Sequence, residues 1–212
     1  MSEPRARRIT EIVGAVVRQA LADRGATRVA LLDDAGPEAD LAARMLGDVL
    51  GADRVVRVAA DASEVESVLH LAPWLDAVRA GEEARRLKAR TLVDAVAANP
   101  ANKTALLLGG ELPPEPLLPL GDLWASEVPQ LGGGWSAPDE VTRIAGLAGG
   151  IDALDAVLRA WTEGRDPGAL DRLSPEAAEA VRRALDVGRA SRMNHRIVPK
   201  IGTRTLGADL FE

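Results

Sequence analysis

The chain of 212 residues is long enough for one domain with a sizeable core, since 47% of its residues are hydrophobic and 27% are charged. It contains no cysteine, which excludes disulfides and cysteine-ligated metals in these residues and suits a reducing compartment. The net charge of −6 argues against broad binding to nucleic-acid phosphates, and no apolar run approaches the about 20 residues of a membrane span. We therefore expect a single domain over residues 1–212, cytoplasmic, with neither nucleic-acid nor membrane partners.

Helical and strand-like patterns alternate along the first part of the chain. Apolar residues at helical spacing from Ile9 to Leu21 predict an amphipathic helix. Apolar runs at Arg28 to Leu32 and Arg54 to Ala60 predict two strands, and the periodicity from Leu41 to Leu50 places a helix between them. A strand, a helix and a second strand in this order form the crossover unit of parallel sheets. The predicted class is therefore α/β.

The later elements follow from the same patterns. Helical spacing from Val65 to Leu75 predicts one helix, and Glu82 to Ala98 is interpreted as a long helix rich in arginine and alanine. Thr104 to Leu108 is interpreted as a third strand of the parallel sheet. Helical spacing returns from Ile151 to Trp161, and Ser174 before a proline and a glutamate predicts the start of another helix.

Three stretches carry a family resemblance. Gly121 to Val128, which reads GDLWASEV after Pro-Leu, resembles the stretch P-[IL]-G-D-L-[YW]-K-T-x-V of NAD synthetases. Ala84 to Asp94 is similar to the Arg-rich helix of that family, and Asn102 to Gly109 to the strand N-x-L-V-L-G-T that follows it. Arg196, Pro199 and the closing stretch from Arg204 to Phe211 resemble the basic C-terminal segment that closes over the family's active site.

This resemblance implies a doubly wound parallel sheet flanked by helices, the NAD synthetase-like form of the adenine nucleotide alpha-hydrolase-like fold. Members of the family use ATP and magnesium to adenylate a carboxylate of deamido-NAD, and ammonia then displaces AMP to give NAD. They associate as homodimers through helices of the region corresponding to Glu82 to Ala98 and its surroundings. By resemblance alone, the implied cofactors are ATP and Mg, the implied ligand is a nucleotide and the implied partner is a second copy.

The loop after the first strand departs from the family. NAD synthetases place S-G-G-[IQ]-D-S there, because glycines and hydroxyls next to a helix N-terminus cradle phosphate. Here the equivalent residues 34–39 read DAGPEA, so that Gly36 is retained and both serines are lost, to Asp34 and Ala39. The aspartate of the motif becomes Glu38.

Carboxylates are concentrated around this altered loop, at Asp33, Asp34, Glu38 and Asp40. A like-charge contact at 4 Å costs roughly 4 kcal/mol at an effective dielectric near 20, whereas a helix N-terminus returns only about 0.3 to 2 kcal/mol per charge. We therefore expect the loop to repel a triphosphate. The acids are open to two interpretations, as capping groups of the following helix or as oxygen ligands of a cation.

Two further departures concern groups that meet the substrate. The lysine of the G-D-L motif is replaced by Ala125. The G-N-K-S-E segment that follows the family strand is contracted, because the chain passes from Gly109 almost directly to Pro119. No catalytic residue and no metal ligand are assigned. The resemblance places the following residues at the nucleotide site: Asp34, Gly36, Glu38, Gly121, Asp122, His195 and Arg196.

Two functions from different classes follow from these features. The first is an enzyme of NAD biosynthesis, an ammonia-dependent NAD synthetase with a remodelled ATP site and weak or lost catalysis. The second is a non-catalytic relative, a homodimeric scaffold or regulator. The altered loop also predicts that Asp34→Ser would relieve repulsion without restoring turnover, because the departures lie in separate segments.

Overall fold

The computed structural model of the protein describes residues 3–33, 36–109, 114–134, 138–191, 197–199 and 201. The predicted site residues Asp34, His195 and Arg196 lie outside this range. The helices of the described chain are α1 (Glu3–Asp23), α2 (Pro37–Leu50), α3 (Ala62–Leu71), α4 (Ala77–Arg90), α5 (Lys103–Leu108), α6 (Asp139–Leu147), α7 (Ile151–Thr162) and α8 (Pro175–Ser191). The strands are β1 (Arg28–Leu32), β2 (Val55–Val58) and β3 (Ala95–Ala98). No helix among the described residues is both long and apolar enough to cross a bilayer.

The three strands form a parallel sheet in the order β2-β1-β3. Alternate residues of the central strand β1 enter different clusters, because successive side chains of a strand point to opposite faces. Val29 and Leu31 pack with α1 and α2, whereas Ala30 and Leu32 pack with Ala89 of α4. The sheet is thus covered by helices on both faces, and the predicted α/β class with a parallel sheet flanked by helices is confirmed.

The position of the third strand corrects two predictions. Thr104 to Leu108 is not a strand, because it lies within α5, whose first turn is capped by Asn102 through a 3.0 Å bond from the Ala105 amide. Glu82 to Ala98 is not one helix, since α4 ends at Arg90 and β3 follows at Ala95. Alanine favours helices, so pairing with β1 overrides the intrinsic preference of β3. The predicted strand Arg54 to Ala60 is confirmed in part, as β2.

The N-terminal end of β3 is fixed to the sheet by Asp94, the residue just before it. Asp94 accepts hydrogen bonds from the Arg28 guanidinium and the Thr27 hydroxyl, and its carbonyl accepts from both backbone amides. The hydrogen bond from Arg28 lowers the pKa of the Asp94 carboxyl to about 2. These hydrogen bonds fix the start of β3 beside β1, and the alanine-rich sequence of β3 gives no indication of that boundary.

The second half of the chain packs as helices around α5. Leu107 and Leu108 share a core cluster with Trp124 and with residues of α6, α7 and α8. The predicted start of α8 is confirmed, since the Ser174 hydroxyl accepts from the Ala177 amide at 3.2 Å.

The buried carboxylate of Asp155 links elements of this helical layer by hydrogen bonds. Asp155 of α7 is only 2% exposed and accepts from the Thr104 hydroxyl at 2.6 Å and the Ser126 amide at 2.8 Å. The Thr104 oxygen in turn accepts from the Ala125 amide at 3.0 Å. Burial raises the pKa of Asp155, against the effect of these hydrogen bonds. One carboxylate therefore joins α5, α7 and the 3₁₀ turn at 125–127.

Candidate functional site

The candidate site lies at the C-terminal ends of β1 and β3, the edge at which parallel sheets bind their ligands. Asp33 follows β1, and its amide donates to Val58 of β2 at 3.0 Å. Asn99 to Asn102 follow β3 and lead into α5. The first turn of α2 and one face of α4 form the rest of the candidate site. The fold therefore brings segments from three distant parts of the sequence to one sheet edge.

Arg57 of β2 binds two of the acids predicted to repel a phosphate. Its Nε lies 2.7 Å from Asp33 Oδ2, and its NH1 lies 2.7 Å from Asp40 Oδ1. The hydrogen bonds that Arg57 donates to Asp33 and Asp40 raise the pKa of the guanidinium. The negative charges of Asp33 and Asp40 are therefore balanced within the protein, by a residue 24 positions from Asp33.

Two of the acids lie at the start of α2. Gly36 is the N-cap and has no side-chain capping hydrogen bond, whereas Glu38 and Asp40 lie in the first turn. Carboxylates in that turn interact favourably with the helix N-terminus. Within the described ranges, no group of three or more His, Cys, Asp or Glu side chains is placed to hold a metal ion.

Glu38 is a buried charged residue, 6% exposed, in the first turn of α2. Asn102 donates to it from Nδ2 at 3.4 Å, while the Asn102 Oδ1 caps α5. The residue at the family aspartate position thus connects α2 to the loop after β3.

Lys103 and Asp122 form a buried ion pair next to the site. The Lys103 Nζ lies 2.9 Å from Asp122 Oδ1, and the two side chains are 9% and 6% exposed. The other oxygen, Asp122 Oδ2, accepts from the Ile201 amide at 2.7 Å. The Lys103 ammonium also lies 4.9 Å from the centre of the Trp124 ring, within cation–π range. The charge of Lys103 is therefore satisfied inside the protein.

Gly121 serves close packing. A Cβ at this position would lie 3.0 to 3.2 Å from side-chain atoms of Leu118, Val198 and Leu106. The sequence pattern placed Gly121 and Asp122 of the G-D-L motif at the nucleotide site. In the structure, Gly121 packs against these side chains and Asp122 binds Lys103.

The position of β3 also bears on the G-N-K-S-E segment. The predicted contraction rested on a third strand at Thr104 to Leu108, whereas the strand lies at 95–98, and Asn102, Lys103 and Thr104 follow it at the start of α5.

A cleft of about 200 Å³ opens between the strand ends, α4 and α5. Glu38 is the one predicted site residue of the described chain that lines it, and Gly36, Gly121 and Asp122 do not. The sequence pattern missed the other polar residues of its wall. They are Glu82, Arg85, Arg86, Asn99 and Asn102.

The wall of the cleft on α4 contains a charged network. Glu115, only 4% exposed, lies 2.8 Å from the Arg86 guanidinium and accepts from Asn99 Nδ2 at 3.2 Å. Arg86 also contacts Glu82 at 3.5 Å and Glu83 at 3.6 Å. The positive charge of Arg86 is therefore balanced by protein carboxylates.

Comparison with known proteins agrees with this architecture. No protein-family model and no curated protein match the sequence. Among solved structures, the chain is similar to the NH3-dependent NAD synthetase of Campylobacter jejuni subsp. jejuni in complex with the nitrate ion, with a TM-score of 0.59 and 17% identity. The likeness covers 88% of this chain and 94% of the Campylobacter chain. The chain therefore has an NAD synthetase-like fold.

Proposed function

We propose that this protein is a relative of the ammonia-dependent NAD synthetases in which amidation of deamido-NAD is weak or lost. The observation that supports this most is the buried pair of Lys103 and Asp122. An ATP-dependent ligase needs cations for its phosphates, and two cations at this end of the sheet already bind carboxylates. Lys103 at the start of α5 binds Asp122, and Arg57 of β2 binds Asp33 and Asp40.

The losses in the motifs act in the same direction. Both loop serines and the lysine at the position of Ala125 are absent. A hydrogen bond to a charged group contributes about 1.5 to 3 kcal/mol, and millimolar binding amounts to only about 4 kcal/mol. The loss of two or three such contacts is therefore sufficient to remove affinity for the nucleotide.

We expect the purified protein to bind Mg-ATP more weakly than millimolar and to form no NAD from deamido-NAD, ammonia and ATP. Calorimetric titration and a coupled NAD assay measure the two quantities, with the Campylobacter synthetase as the positive control. Asp34→Ser is expected to leave turnover undetectable, because the other losses remain. Steady NAD formation by the wild-type chain would establish the enzyme function and reject the proposal.

A second candidate, a homodimeric scaffold, is favoured by an exposed apolar patch. Leu71 at the end of α3, Trp74 in the turn and Val78 at the start of α4 are 77%, 79% and 71% exposed. Tryptophan buries about 150 to 250 Å² and is enriched in interfaces, and such a patch is costly to leave in water. We propose that a second copy covers it by a two-fold contact.

Light scattering at micromolar concentration is expected to give twice 22.3 kDa. Trp74→Ser should shift the protein to monomer, because it removes the largest side chain of the patch. Val93→Ser is the matched control, since Val93 is 98% exposed and lies outside the patch. A monomeric wild type would contradict dimerisation, and dissociation by Val93→Ser alone would place the interface in the region 82–98 instead.

A further inference from the structure

The cleft at the sheet edge contains one cation without a protein partner. Among the described residues, Arg85 of α4 forms no hydrogen bond and no ion pair, although it is half-buried and lines the cleft. Its neighbour Arg86, on the same helix and in the same cleft, contacts three carboxylates. A half-buried guanidinium that has lost part of its hydration attracts an anion.

The opposite wall offers hydrogen-bond donors. Asn99 and Asn102 each donate one amide hydrogen, to Glu115 at 3.2 Å and to Glu38 at 3.4 Å. A side-chain amide nitrogen carries two hydrogens. An oxygen-bearing ligand can therefore accept from these amides while it pairs with Arg85.

The rest of the wall limits the charge and size of that ligand. Leu32, Pro100 and Leu106 supply apolar surface, whereas Glu38 and Glu82 place two carboxylates in the lining. A phosphate dianion would meet both of these acids, and a monoanion meets less repulsion. The volume of about 200 Å³ is below the about 300 to 1,000 Å³ of most ligand pockets, which excludes a whole nucleoside triphosphate.

We infer that this cleft binds a small monocarboxylate with an apolar body, whose carboxylate pairs with Arg85 and whose body lies against Leu32 and Leu106. Guanidinium and carboxylate match in planar, bidentate geometry. The inference goes beyond the proposed function and does not depend on it, because neither ATP nor NAD takes part in the binding.

Benzoate is a suitable probe, since it has a carboxylate on a compact ring, and benzamide is its uncharged analogue. We expect two-dimensional amide NMR to show saturable shifts with benzoate at residues 99–106 and at α4. Loss of the charged contact should weaken binding by about tenfold to a hundredfold, both for benzamide on the wild type and for benzoate on Arg85→Gln. Arg85→Lys, which keeps the charge, should retain part of the affinity.

Arg90→Gln is the matched control, because Arg90 lies on the same helix, is exposed and does not line the cleft. It should bind benzoate as the wild type does. Equal binding of benzamide, unchanged binding by Arg85→Gln, or no shifts with benzoate would overturn the inference. Equal or tighter binding of inorganic phosphate or AMP at the same amides would overturn it in favour of a phosphate site. The assay for NAD formation tests the proposed function separately, and its outcome neither supports nor contradicts the binding of benzoate at the cleft.

Discussion

Asp122→Asn is expected to lower the free energy of unfolding by about 3 to 5 kcal/mol, because it leaves the Lys103 ammonium buried without its counter-charge. The native pair is 2.9 Å apart and is almost fully removed from water. For a domain of this size, each kcal/mol corresponds to about 2 to 4 °C in Tm. The expected change is therefore large enough to measure by urea unfolding and by calorimetry.

A double-mutant cycle separates the effect of the buried, unpaired charge on stability from the effect of lost packing. Lys103→Met together with Asp122→Asn contains no buried charge at this site, so most of the lost stability should return. Glu179→Gln is the control, because its pair with Arg183 is exposed and should change stability by less than about 0.5 kcal/mol. If the double variant were as unstable as Asp122→Asn, Lys103 would not be the cause.

The first βαβ unit could be predicted from the sequence because its local and tertiary preferences agree. Branched and aliphatic residues in β1 and β2 favour strands, and the apolar periodicity of α2 favours a helix. Arg28 to Leu32 was predicted with the bounds that β1 has.

The third strand could not be predicted, because its local and tertiary preferences conflict. Ala95 to Ala98 contains three alanines, which favour a helix, and the strand exists because it completes the sheet beside β1. The apolar run Thr104 to Leu108 has the length of a strand, and a short apolar run does not distinguish a strand from a buried helix. Asn102, an N-cap residue at the right distance, was the signal for α5.

The sequence identified acids at the end of β1, but it did not identify the contacts that the charged residues of the candidate site make. The acids after β1 were identified, but their partner Arg57 comes from another strand and no local pattern reveals it. Asp122 was assigned to a nucleotide, whereas it binds Lys103. Arg85 was noted only as part of an arginine-rich helix, whereas it lines the cleft. The contacts of Asp33, Asp40 and Asp122 could not be predicted because each carboxylate binds a cation that is distant in sequence.

Asp155→Ala is expected to destabilise the helical layer by at least about 2 kcal/mol at pH 7, because the Thr104 hydroxyl and the Ser126 amide lose their acceptor and a buried unsatisfied donor costs about 1 to 3 kcal/mol. Asp152→Ala is the control. Asp152 lies on the same helix, one turn earlier, and is exposed, so its replacement should have less than half of this effect.

The pH dependence of this difference tests the protonation of Asp155. Burial raises the pKa of Asp155 in the folded protein, against hydrogen bonds from Thr104 and Ser126 and the charge of Arg159. A carboxyl whose folded pKa exceeds its unfolded value of about 3.9 binds protons more tightly when folded. Its contribution to stability is therefore least favourable above the folded pKa and increases as the pH falls toward the unfolded value. Alanine cannot titrate, so the stability difference between wild type and Asp155→Ala should widen as the pH falls from 7 toward about 4 in urea unfolding. A difference that narrows on acidification would mean that the hydrogen bonds outweigh burial, and that Asp155 stabilises the fold as an anion.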